Sequence, residues 1–176
     1  MKEILFVTGG CRSGKSRFAL DYANRHFTKK VYLATSLALD DEMRDRIRRH
    51  QEQRGSDWIT VEEAKSVSGA ISSLPKDIDV VLIDCLTMWI SNLLLANQDQ
   101  ERIFKEIEFL VETIKNSPHS IITVSNEVGY GVVPDNTISR IFRDVVGIAN
   151  QRIAACSDTV VMTVAGIPNV IKGSLK

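Results

Sequence analysis

Residues 6–20 read FVTGGCRSGKSRFAL, and this stretch decides how the rest of the chain is read. Gly9 to Ser16, GGCRSGKS, matches G-x-x-x-x-G-K-[ST], between an apolar run, Ile4 to Thr8, and a helix-forming segment starting near Ser16. That strand–loop–helix context is the one in which the motif binds phosphate. Gly9, Gly10 and Gly14 let the backbone curl so that successive N–H groups face phosphate oxygens, at the positive end of the following helix. Lys15 reaches the β- and γ-phosphates and Ser16 supplies a hydroxyl to Mg²⁺. Arg12 and Ser13 complete the loop, with Cys11 as a small filler.

Working outward, apolar runs alternate with helix-period segments, the pattern of βα units in a mostly parallel sheet. Strands are expected at ILFVT, KVYLAT, WITV, DVVLID, SIITVS and DTVVMTV, and helices from near Ser16, Asp40, Ala64, Thr87, Glu101 and Asn136. Runs such as VVLID lack polar alternation, as when both strand faces are covered by helices. The expected fold class is α/β, of the RecA-like P-loop NTPase type, with helices on both faces of the sheet. The chain of 176 residues is read as a single nucleotide-binding domain, 1–176. The tail after Gly166 is expected to end with the fold.

Composition narrows the function classes. The 22 basic and 22 acidic residues give a formal net charge of zero, which argues against a nucleic-acid sheath or an anionic-membrane binder. Three widely spaced cysteines, Cys11, Cys85 and Cys156, form no metal or redox pair and suit a cytoplasmic protein. The first residues are too short an apolar run for a signal peptide, and roughly 18 consecutive apolar residues occur nowhere. The expectation is no nucleic-acid partner and no membrane.

The strand DVVLID ends in Asp84, placed as the acid that supports Mg²⁺ beside a phosphate loop; the alternative is a cap for the helix that follows. In DDEMRDRIRRHQEQR, residues 40–54, Met43, Ile47 and His50 share a helix face, so His50 points with the apolar residues. Such a histidine is either a packing residue or a nucleophile. Glu127 could orient a hydroxyl or be an exposed loop acid. His26 and His119 read as solvated. Arg140, Arg143 and Arg152 could bind an acidic substrate, form a subunit contact or lie on a solvated face. A phosphate loop also allows a kinase for another metabolite or a nucleotide-driven switch or assembly ATPase; the guanine-reading N-K-x-D of switch GTPases is absent.

TGGCRSGKS, YLATS, DDEMRDRIRRHQEQR, WITVEE, DCLTMWISNLL, SNEVGYGVVP and FRDVVGIANQRIAACSDTVVMTVAGIP occur in that order. Together they resemble the bifunctional adenosylcobinamide kinase and adenosylcobinamide-phosphate guanylyltransferase family of vitamin B12 assembly, over nearly the full length. The resemblance implies phosphorylation of adenosylcobinamide by a nucleoside triphosphate, then transfer of GMP from GTP to adenosylcobinamide phosphate. The co-substrates are ATP and GTP, with Mg²⁺. It implies that His50 carries GMP covalently, with Lys15 as the second catalytic group. It also assigns Ala34, Thr35, Ser36, Gln51, Glu52, Gln53, Arg54, Glu62 and Asp84 to the guanine nucleotide site, together with the phosphate loop. A homotrimer is implied as well. Cys11 departs from the alanine expected in the loop, and Asp84 from a glutamate in some relatives.

Overall fold

The computed structural model describes residues 2–37, 57–96 and 99–176. Seven strands form one sheet: β1 (Ile4–Gly9), β2 (Lys30–Ala34), β3 (Trp58–Glu62), β4 (Val80–Asp84), β5 (Ser120–Val124), β6 (Thr159–Val164) and β7 (Ile167–Lys172). Their spatial order is β3-β2-β4-β5-β1-β6-β7. Neighbours pair in parallel except β6 and β7, which are antiparallel. Five described helices connect them: α1 (Lys15–His26), α2 (Val67–Ser72), α3 (Leu86–Leu95), α4 (Gln100–Asn116) and α5 (Thr137–Cys156).

The strands alternate between two cores, which explains their unbroken apolar sequence. Phe6, Val31, Leu33, Val81, Ile83 and Ile121 face a cluster shared with α2 to α5. Leu5, Val7, Tyr32, Val80, Leu82 and Ile122 face another, built with Ala19, Leu20, Tyr22 and Ala23 of α1. Side chains two residues apart share a face of a strand, so an apolar residue at every position satisfies both layers. Helix α4 packs through Ile103, Ile107, Leu110 and Ile114, all fully buried. That spacing is one helical face, and each such side chain contributes roughly 1.5–3 kcal/mol of burial.

The six expected strands are present. The helix expected near Asp40 lies outside the described residues. The one expected from Ala64 begins at Val67, because Glu63 Oε1 accepts the N–H groups of Lys65 (2.8 Å) and Ser66 (2.8 Å) and holds a turn first. At Asn136 the expectation is met in detail: its side chain accepts the Ser139 N–H at 2.8 Å.

The tail after Gly166 adds a seventh strand to the sheet, beyond the six expected. Val164 pairs with Ile167, so Ala165 and Gly166 form a two-residue hairpin turn, with φ of 51° and 81°, and the chain returns as β7. Two central residues with positive φ give a turn whose twist matches the flanking strands. As an edge strand β7 tolerates Pro168, and all of its residues are exposed. His119 is likewise not solvated: it is 2% exposed, and its Nδ1 lies 2.9 Å from the Ile78 carbonyl. His26 is exposed and stacks against Tyr22 with ring centroids 4.4 Å apart.

Candidate active site

The parallel strands end together, and the phosphate loop, Ala34, Glu62 and Asp84, among the described residues assigned to the site, lie at their carboxyl edge. The phosphate loop follows β1, where the backbone turns sharply: Gly9 has φ 148°, Arg12 53° and Gly14 97°. The Ser13 N–H donates to the Gly10 carbonyl at 3.3 Å, closing the curl. Gly14 is the N-cap of α1 with no side-chain cap, so the first N–H groups of the helix stay available to an anion. Lys15 is buried, and its Nζ donates to the Gly10 carbonyl at 2.6 Å, which keeps the ammonium over the loop. Ser16 is half-buried, whereas Cys11 and Arg12 are exposed.

Behind the loop stands the β6–β7 hairpin. Ser13 Oγ and Thr163 Oγ1 are 2.7 Å apart, and the Gly166 N–H donates to the Ser13 carbonyl at 2.9 Å. A Cβ on Gly9 would lie 2.4 Å from the Thr163 carbonyl oxygen, and one on Gly14 3.2 Å from the Gly166 Cα. The glycine spacing thus answers to this close approach as well as to phosphate.

Asp84 ends β4, two strands from β1, with β5 between them. It is not a helix cap: Cys85 occupies the N-cap position of α3 and makes no side-chain cap bond. Instead Asp84 Oδ2 accepts the Tyr32 hydroxyl at 3.0 Å from the neighbouring strand. The Asp84–Cys85 peptide is cis. Cys85 packs against the α1-side core, and burial, then the adjacent Asp84 carboxylate, push its thiol up to about 11.

Ala34 is opposite Glu62 on one side and Asp84 on the other, so three of the residues assigned to the nucleotide site meet at the sheet edge. Glu62 is exposed, and Ala34 and Ser36 are half-buried. Thr35 is engaged internally: its Oγ1 donates to the Cys85 carbonyl (2.8 Å) and accepts the Cys85 N–H (2.9 Å), and its carbonyl accepts Asn92 Nδ2 (2.7 Å). It binds β2 to the start of α3. His50, Gln51, Glu52, Gln53 and Arg54 lie outside the described residues.

Glu127 is fixed between these groups. Its N–H donates to the Gly9 carbonyl at 2.9 Å, and its Oε1 accepts the Gly129 N–H at 2.9 Å. The loop beyond it is braced by α5 through Arg143 Nη2 to the Gly129 carbonyl (2.8 Å), Arg140 Nη1 to the Pro134 carbonyl (3.0 Å) and Asn150 Nδ2 to the Asn126 carbonyl (3.1 Å). Two of the three arginines therefore hold a loop, and the third, Arg152, pairs with Glu108. Sequence reading missed Tyr32, Thr163 and this bracing set; only Tyr32 carried a signal, as the lone hydroxyl in an otherwise apolar strand centre.

The donors suit Mg²⁺: a serine hydroxyl and one oriented carboxylate at a phosphate loop are hard oxygen ligands, with phosphates and water expected to supply the rest. Among the described residues no group of three His, Cys, Asp or Glu gathers as a protein-built metal cage. No described helix is long and apolar enough to cross a membrane.

Comparison with known proteins follows the same lines. The model of the family described as "Cobinamide kinase / cobinamide phosphate guanyltransferase" matches residues 5–171. The bifunctional adenosylcobalamin biosynthesis protein CobP of Pseudomonas aeruginosa is 41% identical, covering 95% of this chain and 96% of the relative. Its counterpart CobU of Salmonella typhimurium is 38% identical, covering 96% and 99%. Among solved structures, the RadB recombinase superposes with a TM-score of 0.50 at 14% identity, covering 91% of this chain and 73% of that one. A second solved structure, an ATPase domain, gives 0.50 at 14%, covering 92% and 69%. The last two likenesses show the fold alone, that of P-loop NTPases.

Proposed function

The chain belongs to the cobinamide kinase / cobinamide phosphate guanyltransferase family, and from that premise we propose that it phosphorylates adenosylcobinamide and then guanylylates the product through His50. The observation that supports the proposal is a complete phosphate loop at the same carboxyl edge of the sheet on which Asp84, Ala34 and Glu62 end adjacent strands.

In the kinase step the acceptor hydroxyl oxygen bonds to the γ-phosphorus of ATP or GTP while the bridging γ-phosphorus–oxygen bond breaks. A nucleoside diphosphate leaves and the hydroxyl proton passes to water. Lys15 and the loop N–H groups neutralise the phosphates and fix their position, and most catalysis of such a loose transition state is positioning. Bound Mg²⁺ supplies further charge neutralisation; Ser16 and Asp84 would hold it.

In the guanylyl step a neutral imidazole nitrogen of His50 bonds to the α-phosphorus of GTP, and the bond to the β-phosphate oxygen breaks to release pyrophosphate. An oxygen of adenosylcobinamide phosphate then attacks the same phosphorus, the phosphorus–nitrogen bond breaks, and adenosylcobinamide-GDP is formed. Lys15 and Arg54 stabilise the departing pyrophosphate. The guanine nucleotide lies toward Ala34, Ser36, Gln51 to Arg54 and Glu62. Within this proposal the protein works in the cytoplasm as a homotrimer, without nucleic acid or membrane.

The test is incubation with GTP labelled at the α-phosphorus, denaturation, and recovery of protein. An acid-labile, alkali-stable label that is discharged by adenosylcobinamide phosphate is expected. Turnover of GTP with no protein-bound label would exclude the histidine route.

A further inference from the structure

Two peptide planes connect helix α5 to the root of the phosphate loop. Asn150 of α5 is 7% exposed, and its Nδ2 donates to the Asn126 carbonyl at 3.1 Å. That carbonyl shares a planar trans peptide with the Glu127 N–H, so holding one end sets the direction of the other. The Glu127 N–H donates to the Gly9 carbonyl at 2.9 Å, past Val7 and Val124, the last registered pair of β1 and β5. We propose that Asn150 is a positioning residue for phosphate binding, fixing through these two planes the direction in which the phosphate loop leaves β1.

The Gly9–Gly10 peptide is where such a hold matters. It lies between two residues without side chains, so its plane has the least local restraint in the loop. Gly9 has φ 148°, and around Gly10 even an added Cβ would meet nothing within 4 Å. The next carbonyl, that of Gly10, accepts both Lys15 Nζ (2.6 Å) and the Ser13 N–H (3.3 Å). Rotation of the Gly9–Gly10 plane therefore displaces the acceptor that keeps the ammonium over the loop, and opens the curl that it closes.

Asn150 is suited to this role and poorly suited to stabilising the fold. Its neighbours on the buried face of α5, Val145, Val146, Ala149 and Ile153, belong to the core shared with α2 to α5. Its own Oδ1 is buried and has no hydrogen-bond partner among the described residues. A buried amide with one group unpaired loses about as much free energy as its single bond returns. The side chain is thus explained by the carbonyl that it holds. The Asn126 N–H donates in turn to Thr87 Oγ1 at 2.8 Å, so Asn126 is held at both of its peptide groups. The proposal rests on the functional reading above only in taking the loop as a triphosphate site; it requires neither His50 nor a direction of transfer.

The experiment compares the full-length parent with Asn150→Leu and Arg152→Ala variants. Dissociation constants are measured for N-methylanthraniloyl-ATP and for inorganic triphosphate, with Mg²⁺, beside melting temperature and amide hydrogen exchange. In Asn150→Leu both Kd values rise about fivefold or more, the lower end of coupling between linked groups. They rise by the same factor, because the effect is on phosphates alone. The melting temperature is unchanged or higher, since a half-satisfied buried amide has been removed. Exchange quickens at the Glu127 amide and not at Val124. Arg152, on the same helix but paired with Glu108, serves as control: Arg152→Ala leaves both Kd values within about twofold. Parental Kd values in Asn150→Leu overturn the proposal. So does a rise accompanied by a lower melting temperature and faster exchange throughout β5, which makes Asn150 a structural residue. If Asn150→Leu does not fold, the parent decides, because coupling is reciprocal: bound triphosphate slows exchange of the Glu127 amide, and exchange indifferent to triphosphate overturns the proposal. A parent that binds neither probe overturns the triphosphate reading of the loop as well, whereas a parent that binds both leaves that reading standing when the variant result fails.

Discussion

The Tyr32 hydroxyl donates to Asp84 Oδ2 at 3.0 Å, from β2 to β4, in a register that sets Tyr32 two residues before the end of its strand and Asp84 at the end of its own. The tyrosine thereby fixes the direction of the carboxylate that ends β4, two strands from the phosphate loop. Asp84→Asn keeps the shape and removes the charge. Its expected effect is a Mg²⁺ requirement raised by about tenfold or more, with little change in melting temperature. Tyr32→Phe should shift the same titration in the same direction and cost about 1 kcal/mol of stability. A metal titration that superimposes on the parent's for Asp84→Asn would remove Asp84 from the site.

Lys15 sits at the convergence of the loop and the first turn of α1, its ammonium on the Gly10 carbonyl. Lys15→Ala should lower both activities by about a hundredfold or more, because charge stabilisation of the phosphates is common to each. Steady-state rates with adenosylcobinamide and with its phosphate check this. A loss confined to one reaction would mean that the two do not share the phosphate loop.

For His50 the expected signature is asymmetric. His50→Ala should abolish protein-bound GMP and guanylyl transfer and leave phosphorylation of adenosylcobinamide within about tenfold, since γ-phosphoryl transfer needs no protein nucleophile. Acidification should suppress adduct formation in the parent, because a protonated imidazole has no lone pair to attack with. Labelled GMP acquired at the parental rate by the variant would place the nucleophile elsewhere.

Gly9→Ala tests the back of the loop. With φ at 148° and the Thr163 carbonyl oxygen 2.4 Å from the added Cβ, strand β6 or the loop must move. A cost of about 2–4 kcal/mol is expected, together with loss of nucleotide binding. Thermal denaturation and fluorescent-nucleotide titration measure the two effects; a parental melting temperature would contradict this packing.

The cysteines differ in reactivity for a physical reason. Cys11 is exposed on the loop, whereas burial beside Asp84 pushes the Cys85 thiol up to about 11. Iodoacetamide near pH 8 should therefore modify Cys11 well before Cys85, as peptide mapping would show. Because this acid's folded-state pKa is raised, its contribution to stability is present below the unfolded value and is lost as pH rises through about 11. The Cys85→Ala protein should show a shallower loss of stability above pH 9, the ordinary value for an unburied thiol.

The sequence by itself determined the features set by neighbours along the chain. The phosphate loop is legible because strand, glycines, lysine, serine and helix follow one another within GGCRSGKS and its flanks. The central strands β1, β2, β4 and β5 are legible because both of their faces are covered, so each reads as a nearly unbroken apolar run, whereas the edge strand β3 is legible only through its β-branched residues, Ile59, Thr60 and Val61. Asn136 announces α5 because a cap acts within three residues. The tertiary structure alone decided what depends on pairing distant segments. It put β5 between β1 and β4, turned Asp84 toward Tyr32, and buried His119 beneath Ile78 although SPHS reads as a turn. It brought Arg140 and Arg143 to the loop after β5 and folded β7 back, so that Gly166 meets Ser13. These contacts join residues up to about 150 positions apart. Their partners are fixed by strand order and by packing on either side of the sheet, neither of which local periodicity encodes.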